Sequence, residues 1–418
     1  MKKIDVIYNG WEESWVLGQL AESGPQLLFE YSADALQKKI EFSPVHLKLK
    51  STAYSGFPTY QQNLPGLISD SLPDGWGLLL MDKLFKKQGL NLRDISPLDR
   101  LSYLSDRGIG ALSFVPAKDQ VFEKNDFTIL KIASEVQKII NDKASEILPQ
   151  LAQMGGSPQG ARPKVLVQYN PKTKKITNDS LKNNLKNADI VLIAEPWLIK
   201  FPSHNEHIEA CAIEALYMSL AKKCGLNVNT YEYFDLGPKL SAFGIQRFDR
   251  QKNIKILTHT LAGVLHADFK TPSSVDYVTF LRTVRVLTND EQQVMTAFRQ
   301  CVFNVVFNNR DDHPKNFSFL LNKKNQWQLS PVYDLTFSHG PNGEHHMDIC
   351  GEGRAPGLSD LIHLSEQVSL NKNKVKNIIN EVSEVANQFK KMALKWPLRK
   401  KTIDQINKAI QINLKALK

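Results

Sequence analysis

Hydrophobic and polar residues alternate in three short segments near the start of the chain. These segments span residues 4–8, 15–20 and 27–31. A period of two residues predicts strands with one buried face, and Asn9-Gly10 after the first segment favours a tight hairpin turn. The stretches 67–84 and 97–105 show helical spacing instead. The pattern therefore predicts a strand-rich N-terminal module over residues 1–116.

The pattern changes after this module. Residues 117–126 are polar and predict a link, and residues 170–188 predict an exposed polar excursion. Between them and beyond, an apolar triplet directly before Lys200 predicts a core strand, which Pro202 ends. We interpret residues 127–250 as a small mixed lobe.

A helix is predicted over residues 205–224. Asn205 is a suitable N-cap, and Gly225 is a typical C-terminal stop. Glu214 lies beside the apolar face of this helix, where it is a candidate partner for Lys200. The alternative is that Glu214 is simply solvated.

Helical periodicity dominates from residue 275 onward. The helix 290–308 has a continuous apolar stripe, and Thr288 or Asn289 could provide its N-cap. A loop interrupts the helical pattern after this helix. We therefore expect residues 251–418 to form an all-helical C-terminal lobe.

Composition is that of an ordinary soluble globular protein. The chain has 418 residues, 42% of them hydrophobic, and its mean hydropathy is −0.31. No run approaches the length of about 18 apolar residues that a membrane helix needs, and the start predicts a strand rather than a signal peptide. The four cysteines have no C-x-x-C spacing, which favours free thiols in a reducing cytoplasm over disulfides or zinc.

The chain is basic, with a formal net charge of +10. Much of the excess lies in residues 390–418 and would attract nucleic acid, although a solvated face of terminal helices is the simpler explanation. No base-reading motif accompanies the charge. We therefore expect DNA contact only through another protein.

The strongest chemical signal is the segment 310–316, which follows the long helix. It places Asp311 and Asn316 five residues apart, and Asp334 follows eighteen residues later. This is the spacing of a protein-kinase catalytic loop and its metal-binding Asp. In that arrangement Asp311 faces the incoming hydroxyl, and oxygen atoms of Asn316 and Asp334 bind Mg²⁺.

Two upstream features fit the same chemistry. Lys200, at the end of its predicted strand, matches the kinase Lys that neutralises the α- and β-phosphates of ATP. The segment 154–164 contains Gly155, Gly156 and Gly160, which allow backbone amides to approach phosphate oxygens. It is neither a Walker A loop nor a kinase G-x-G-x-x-G, and a flexible turn is its simpler interpretation.

Taken together, these segments resemble the HipA family, the serine/threonine-kinase toxins of bacterial toxin–antitoxin pairs. The resemblance runs from about residue 5 to about residue 370. It is carried by the segments 71–77, 155–164, 198–202, 244–250, 309–319 and 330–335. It implies an α+β, bilobal protein-kinase-like fold with the N-terminal module appended.

The resemblance also implies roles for single residues. Asp311 becomes the catalytic base, with Asn316 and Asp334 as magnesium ligands. The ATP-binding residues become Lys200, Gly156, Ser157, Gly160, Gln246, Phe248, Asp249 and His313. Among them, Gln246 to Phe248 would form the adenine-reading hinge, Asp249 would lie near the ribose, and Ser157 would be autophosphorylated. Two prolines, Pro158 and Pro163, make this loop stiffer than a Val-Ala-Gly type sequence.

The implied activity is transfer of the ATP γ-phosphate, with Mg²⁺, to a serine of a translation-related protein. Aminoacyl-tRNA synthetases are known targets in the family, and a small helix-turn-helix, HipB-like antitoxin is the implied partner. Two alternatives remain open at this point. One is a catalytically dead, DNA-associated scaffold. The other is a metal-dependent phosphohydrolase whose ligands would be Asp311, Asp312 and His313, with His339, His345 and His346.

Overall fold

The computed structural model describes residues 2–24, 26–117, 126–155, 160–177, 194–204 and 206–418. The chain divides into two compact units. The first unit comprises Met1–Ile208, Glu232–His259 and Gly263–His266, and the second comprises Glu209–Tyr231, Thr260–Ala262 and Ala267–Lys418. The predicted domains 1–116 and 127–250 thus both lie largely within the first unit, whereas the segment Glu209–Tyr231 belongs to the second.

The alternating segments at the start of the chain form an antiparallel sheet in the first unit. Across this sheet, the described strands follow the order Gln26–Tyr31, Trp15–Ser23, Lys3–Tyr8 and Leu112–Val115. Ile4, Val6 and Tyr8 are buried and alternate with more exposed residues, so one face of the strand packs inward. The three strands predicted here are confirmed.

The tight turn predicted at Asn9-Gly10 is wrong. Lys3–Tyr8 and Trp15–Ser23 do pair as a hairpin, but the whole segment 9–14 connects them. Gly10 instead forms a bridge with Lys255, and the Trp11 amide donates to the Lys255 carbonyl over 3.2 Å. A long-range backbone partner therefore replaces the local turn.

Short helices follow the first three strands of the first unit. The α-helices described there are Ala33–Lys38, Gly66–Ser69, Gly75–Lys87, Pro97–Leu104, Ile129–Ile140 and Leu148–Gly155, and the short 3₁₀ turns are Thr59–Gln61 and Leu92–Asp94. The predicted helix 67–84 is two helices, since Pro73 cannot continue a helix and Asp74 starts a new one as its N-cap. The predicted helix 97–105 is confirmed, and Ser96 caps it.

A second sheet carries the strand predicted before Lys200. The described strands follow the order Asp126–Phe127, Ile176–Thr177, Lys164–Tyr169, Glu195–Lys200, Ser241–Gln246 and Tyr231–Asp235. Glu195–Lys200 lies between two antiparallel neighbours, and Trp197 and Ile199 are buried. A small hairpin of Arg250–Gln251 and Ile254–Lys255 follows this sheet in the chain.

The second unit is largely helical. Its α-helices are Glu209–Lys223, Tyr277–Thr288, Glu291–Val306, Leu358–Gln367, Lys372–Asn387, Phe389–Ala393 and Lys400–Ala416, and the short helix Leu261–Leu265 lies at the boundary of the two units. Glu209–Lys223 begins four residues later than predicted, while Gly225 ends it as expected with a positive φ of 77°. Asn205, the predicted N-cap, lies outside the described residues.

The predicted cap of the helix before the catalytic loop is also wrong. Asp290 caps Glu291–Val306, and its carboxylate accepts a 2.8 Å hydrogen bond from the Gln292 amide. Asn289 instead ends the preceding helix in the left-handed conformation. Asn289 therefore ends one helix, and Asp290 directly after it begins the next.

The prediction of an all-helical C-terminal lobe is wrong. Ser318–Leu321 and Trp327–Leu329 form an antiparallel hairpin directly after the catalytic loop, and Thr258–Thr260 joins the same sheet. The continuous apolar run of the first of these strands is buried along its whole length. Short buried strands of this kind do not show the alternation that would distinguish them from helix.

The cysteines and the helix lengths bear on two expectations from the sequence. All four cysteines are free thiols, as predicted, and three of them are buried. Among the described residues, no helix has both the length and the apolar character to cross a bilayer. Gly156, Ser157, most of the polar link 117–126 and residues 178–188 of the polar excursion lie outside the described residues.

Candidate active site

The catalytic-loop segment is held between two regular elements of the second unit. Glu291–Val306 precedes it, the 3₁₀ turn Pro314–Asn316 closes it, and Ser318–Leu321 leads away. Asp311 lies in the open part of the loop, with 56% of its side chain exposed. A rigid helix and strand thus present one carboxylate to solvent.

The side chains around Asp311 restrict the loop further. The Asn316 side-chain nitrogen donates to the Asp311 carbonyl over 2.7 Å. Because the amide is planar, its oxygen then lies on the opposite side, free of this contact and of the type that Mg²⁺ prefers. His313 Nε2 lies 3.8 Å from Asp311 Oδ1, so the predicted base, metal ligand and phosphate-side histidine are neighbours.

Asp312 points the other way, into the core of the second unit. Its carboxylate accepts hydrogen bonds from the Tyr277 hydroxyl, His345 Nδ1 and the His346 amide over 2.7, 2.8 and 2.7 Å. Burial alone would raise the pKa of this carboxyl, but the His345 imidazole and these hydrogen bonds hold the pKa below its ordinary value. The sequence analysis gave Asp312 no such role.

This geometry argues against the phosphohydrolase alternative. Asp311 and Asp312, two of its metal ligands, face solvent and core respectively, and His345 is engaged by Asp312. Among the residues that the structure describes, there is no group of three or more His, Cys, Asp or Glu side chains arranged to hold a metal ion.

Asp334 follows a segment that is tied to the catalytic loop. Tyr333, its neighbour in sequence, donates a 2.7 Å hydrogen bond to the Lys315 carbonyl and lies 2.6 Å from the Ser318 hydroxyl. Asp334 itself is half-buried and has a φ of 54°. Asp and Asn tolerate this left-handed conformation better than most residues. The loop and the second predicted metal ligand are thus linked through Tyr333.

In the first unit, Lys200 lies opposite a second buried lysine. Lys200 pairs with Lys164 on one neighbouring strand and with Phe243 on the other. Only 4% of Lys200 and 3% of Lys164 is exposed. Directly paired residues of antiparallel strands point to the same face. The two lysines therefore share one buried face of the sheet, and sequence reasoning did not identify Lys164 as a neighbour of Lys200.

The described end of the Gly-rich segment is anchored by the N-terminal module. Gly160 has a φ of 100°, which favours glycine, and a β-carbon there would lie 2.3 Å from Lys164 Nζ. Asp74 is the N-cap of Gly75–Lys87 but makes no side-chain hydrogen bond to its own helix. Its carboxylate accepts a hydrogen bond from the Gly160 amide.

The predicted hinge lies at the end of the strand Ser241–Gln246 of the second sheet. Gln246 ends the strand, and its side-chain amide donates to Glu195 over 3.3 Å. The Arg247 amide donates to the Pro196 carbonyl over 2.9 Å, and Phe248 is half-buried. An adenine contact by Gln246 or Phe248 stays a prediction.

Asp249 has a different environment from the one that its predicted ribose contact requires. Its carboxylate accepts hydrogen bonds from Arg247, Arg250 and the Gly110 amide, each with a contact of 2.7 Å. Burial opposes ionisation, but the two guanidinium groups hold the pKa of this carboxyl well below its usual range. The geometry therefore assigns Asp249 a structural role, joining the N-terminal module to the segment after the hinge.

Glu214 is not a solvated residue. It lies on Glu209–Lys223 with only 1% of its surface exposed, so that alternative is wrong. Lys200 belongs to the first unit and Glu214 to the second. Their pairing stays a prediction.

Comparisons with known proteins agree with the resemblance noted in the sequence. The model of the HipA N-terminal domain matches residues 5–115, and that of the HipA-like C-terminal domain matches residues 156–389. No curated protein matches the chain. Among solved structures, the fold is similar to a complex of the Shewanella oneidensis toxin HipA with HipB and operator DNA. That match has a TM-score of 0.69 and 18% identity, and covers 99% of this chain and 96% of the other.

A second solved structure, the Helicobacter pylori proinflammatory kinase CtkA, aligns with a TM-score of 0.32 and 11% identity. The alignment covers 53% of this chain and 88% of CtkA, and a score this low carries no argument. The two family models, by contrast, cover both the N-terminal module and most of the remaining chain. On this basis the protein belongs to the HipA family.

Proposed function

We propose that this protein is a serine/threonine protein kinase that transfers the γ-phosphate of ATP to a serine of another protein. The observation that carries the proposal is the loop around Asp311. An exposed carboxylate lies on a loop fixed from both sides, and the Asn316 amide is oriented by the Asp311 backbone. That is the arrangement expected of a base that must meet a substrate hydroxyl.

The donor set fits Mg²⁺ and ATP. In the second unit, Asn316 and Asp334 offer the hard oxygen ligands that Mg²⁺ prefers. In the first unit, the buried lysines Lys164 and Lys200 offer concentrated positive charge for phosphate oxygens. When bound, Mg²⁺ would neutralise charge on the β- and γ-phosphates.

The protein's own residues would then act mainly by positioning. Asp311 accepts the proton of the substrate serine hydroxyl. At the same time the serine oxygen bonds to the γ-phosphorus, and the bond between the γ-phosphorus and the bridging β–γ oxygen breaks. His313, whose Nε2 lies 3.8 Å from Asp311 Oδ1, would contact the phosphates of ATP. The products are a phosphoserine and ADP.

Transfer of radiolabelled phosphate from ATP to protein tests this proposal. Wild-type protein is incubated with [γ-³²P]ATP, Mg²⁺ and a nucleotide-depleted bacterial lysate, and phosphoserine is identified by mass spectrometry. Asp311→Asn should lower transfer by about 10²–10⁴-fold, the usual contribution of a positioned base. Asp404→Asn, at an exposed carboxylate paired with Lys390, is the matched control. Free phosphate without labelled protein would indicate a hydrolase, and neither product would indicate a non-catalytic scaffold.

Regulation at Ser157 is part of the proposal. Family membership supports it, since the resemblance places the autophosphorylated serine there. Adding close to two negative charges beside a phosphate-binding segment would repel ATP. Mass spectrometry of purified active protein should find phosphate on Ser157, and Ser157→Asp should bind ATP more weakly. An unmodified Ser157 in active wild type would contradict this regulation.

A small HipB-like antitoxin is the proposed partner, and an aminoacyl-tRNA synthetase is the proposed class of substrate. The structure similar to this chain is a complex with HipB and operator DNA, which supports the first of these. Contact with DNA would be indirect, in the cytoplasm. In the basic segment 390–418, Lys390 is paired with Asp404 and Arg399 with Glu209. The other lysines of this segment would therefore provide most of the charge for a contact with DNA.

A further inference from the structure

A chain of buried hydrogen bonds begins beside the proposed catalytic base. The Tyr277 hydroxyl donates to Asp312 over 2.7 Å, and the Asn304 side-chain amide donates to that hydroxyl over 2.9 Å. Asn309 donates to the Asn304 oxygen over 2.9 Å, and the Thr336 amide donates to the Asn309 oxygen over 3.4 Å. We call Asp312, Tyr277, Asn304 and Asn309 the relay.

Every donor in the relay points towards Asp312. Tyr277 and Asn304 are fully buried, and Asp312 and Asn309 are 1% and 2% exposed. A buried carboxylate polarises the hydrogen bonds aimed at it, and such chains strengthen one another. An apolar core of the same volume is often as stable as a buried charge, so stability does not require this arrangement.

The two ends of the relay lie next to the two halves of the proposed chemistry. Asp312 directly follows Asp311, and Thr336 lies two residues after Asp334. A second contact joins the same segments, because the Asn308 side-chain amide donates to the Ser338 carbonyl over 2.8 Å. The relay therefore connects the loop that carries the base to the segment that carries a metal ligand.

The contacts of Asp312 also decide where Asp311 points. The Asp312 carboxylate is held by Tyr277, by His345 and by the His346 amide, whereas the Asp311 side chain is 56% exposed. Fixing one side chain inward restricts the backbone torsions on which its neighbour depends. A displacement of about 1 Å at a reacting group can cost about 10²-fold in rate.

We infer that Asp312 and Tyr277 are positioning residues for phosphoryl transfer, holding Asp311 in register with the segment of Asp334. The inference rests on the proposed kinase activity and adds to it. It makes a specific distinction: loss of the relay should slow transfer and leave nucleotide binding in place, since neither residue is among those proposed to touch ATP.

Two substitutions break the relay in different ways. Tyr277→Phe removes the hydroxyl and both of its hydrogen bonds. Asp312→Asn is nearly isosteric, but its amide nitrogen replaces one carboxylate oxygen and opposes a donor there. In one orientation it opposes the Tyr277 hydroxyl and His345 Nδ1, and in the other it opposes the His346 amide.

Tyr217→Phe is the matched control. Tyr217 is also fully buried in the second unit, and its hydroxyl donates a single 2.6 Å hydrogen bond to the Phe307 carbonyl, outside the relay. Removing it should cost stability of the same order, about 1–3 kcal/mol, without touching Asp312 or Asn304.

The experiment measures transfer from [γ-³²P]ATP to the full chain itself, after phosphatase treatment, well below the lowest unfolding temperature. At saturating Mg-ATP, Tyr277→Phe and Asp312→Asn should lower the rate constant at least about tenfold, with the half-saturating ATP concentration within about threefold of wild type. Tyr217→Phe should keep the wild-type rate constant.

Other results overturn the inference. Wild-type rate constants in both relay variants would show that the relay does not position the base. An equal loss in Tyr217→Phe would show a general loss of rigidity. If Asp312→Asn does not fold, Tyr277→Phe alone decides. A wild-type protein that labels neither itself nor any protein of the lysate would refute the kinase proposal itself, and the relay inference with it.

Discussion

Lys164 and Lys200 are direct partners on neighbouring antiparallel strands, and both side chains are buried. In the proposed kinase, this shared face would meet phosphate oxygens of ATP. Substitution of Lys200 tests that role.

Lys200→Met should weaken ATP binding by about 10- to 150-fold, the equivalent of about 1.5–3 kcal/mol for one hydrogen bond to a charged group. Methionine keeps most of the length and apolar volume of the side chain. Isothermal titration with Mg-ATP measures the change, and Lys252→Met, at an exposed position of the first unit, is the control. Unchanged affinity in Lys200→Met would remove Lys200 from the nucleotide site.

Asp74→Ala should weaken ATP binding several-fold. The Asp74 carboxylate fixes the Gly160 amide next to Lys164 Nζ, and without it part of the ordering of this segment must be supplied when nucleotide binds. Titration with Mg-ATP checks this expectation. Asp34→Ala, at an exposed acidic residue in the same module, should bind ATP like wild type.

Asp334→Asn should raise the Mg²⁺ concentration needed for half-maximal transfer by about tenfold or more, because one charged oxygen ligand is lost. Asn accepts a φ of 54° without added strain, so the effect reports on the metal rather than on the backbone. Asp142→Asn is the matched control, since Asp142 has a φ of 53° and a 90% exposed side chain. The same Mg²⁺ dependence in all three proteins would argue against Asp334 as a ligand.

Asp249→Asn should destabilise the fold by about 3–5 kcal/mol at neutral pH, since it leaves two buried guanidinium groups without their carboxylate. The folded-state pKa of Asp249 lies below its unfolded value. Its contribution is therefore complete above about pH 4 and is lost as the pH falls further. Urea unfolding of wild type and variant at pH 7 and at lower pH should show a shrinking difference. A nucleotide-binding defect in a fully stable variant would instead support the ribose contact.

Local patterns in the sequence were sufficient for some of the regular elements. The strands at 4–8 and 27–31 were confirmed because one buried face imposes a period of two, which is visible in the sequence. The helix Pro97–Leu104 was confirmed because its signals lie within a few residues of each other. The motif spacing from Asp311 to Asp334 is also local and predicts a kinase-like loop.

Only the tertiary structure decided what depends on distant partners. Asn9-Gly10 has the composition of a tight turn, yet Lys255 takes up the backbone of Gly10. Asp249 and Asp312 are both acidic residues next to motif positions, and nothing local distinguishes a ligand-binding carboxylate from a buried one. Gly110 beside Asp249, and Tyr277 and His345 beside Asp312, supply that distinction from far along the chain. A carboxylate's role follows from its surroundings, and folding assembles those surroundings from residues that no sequence window contains together.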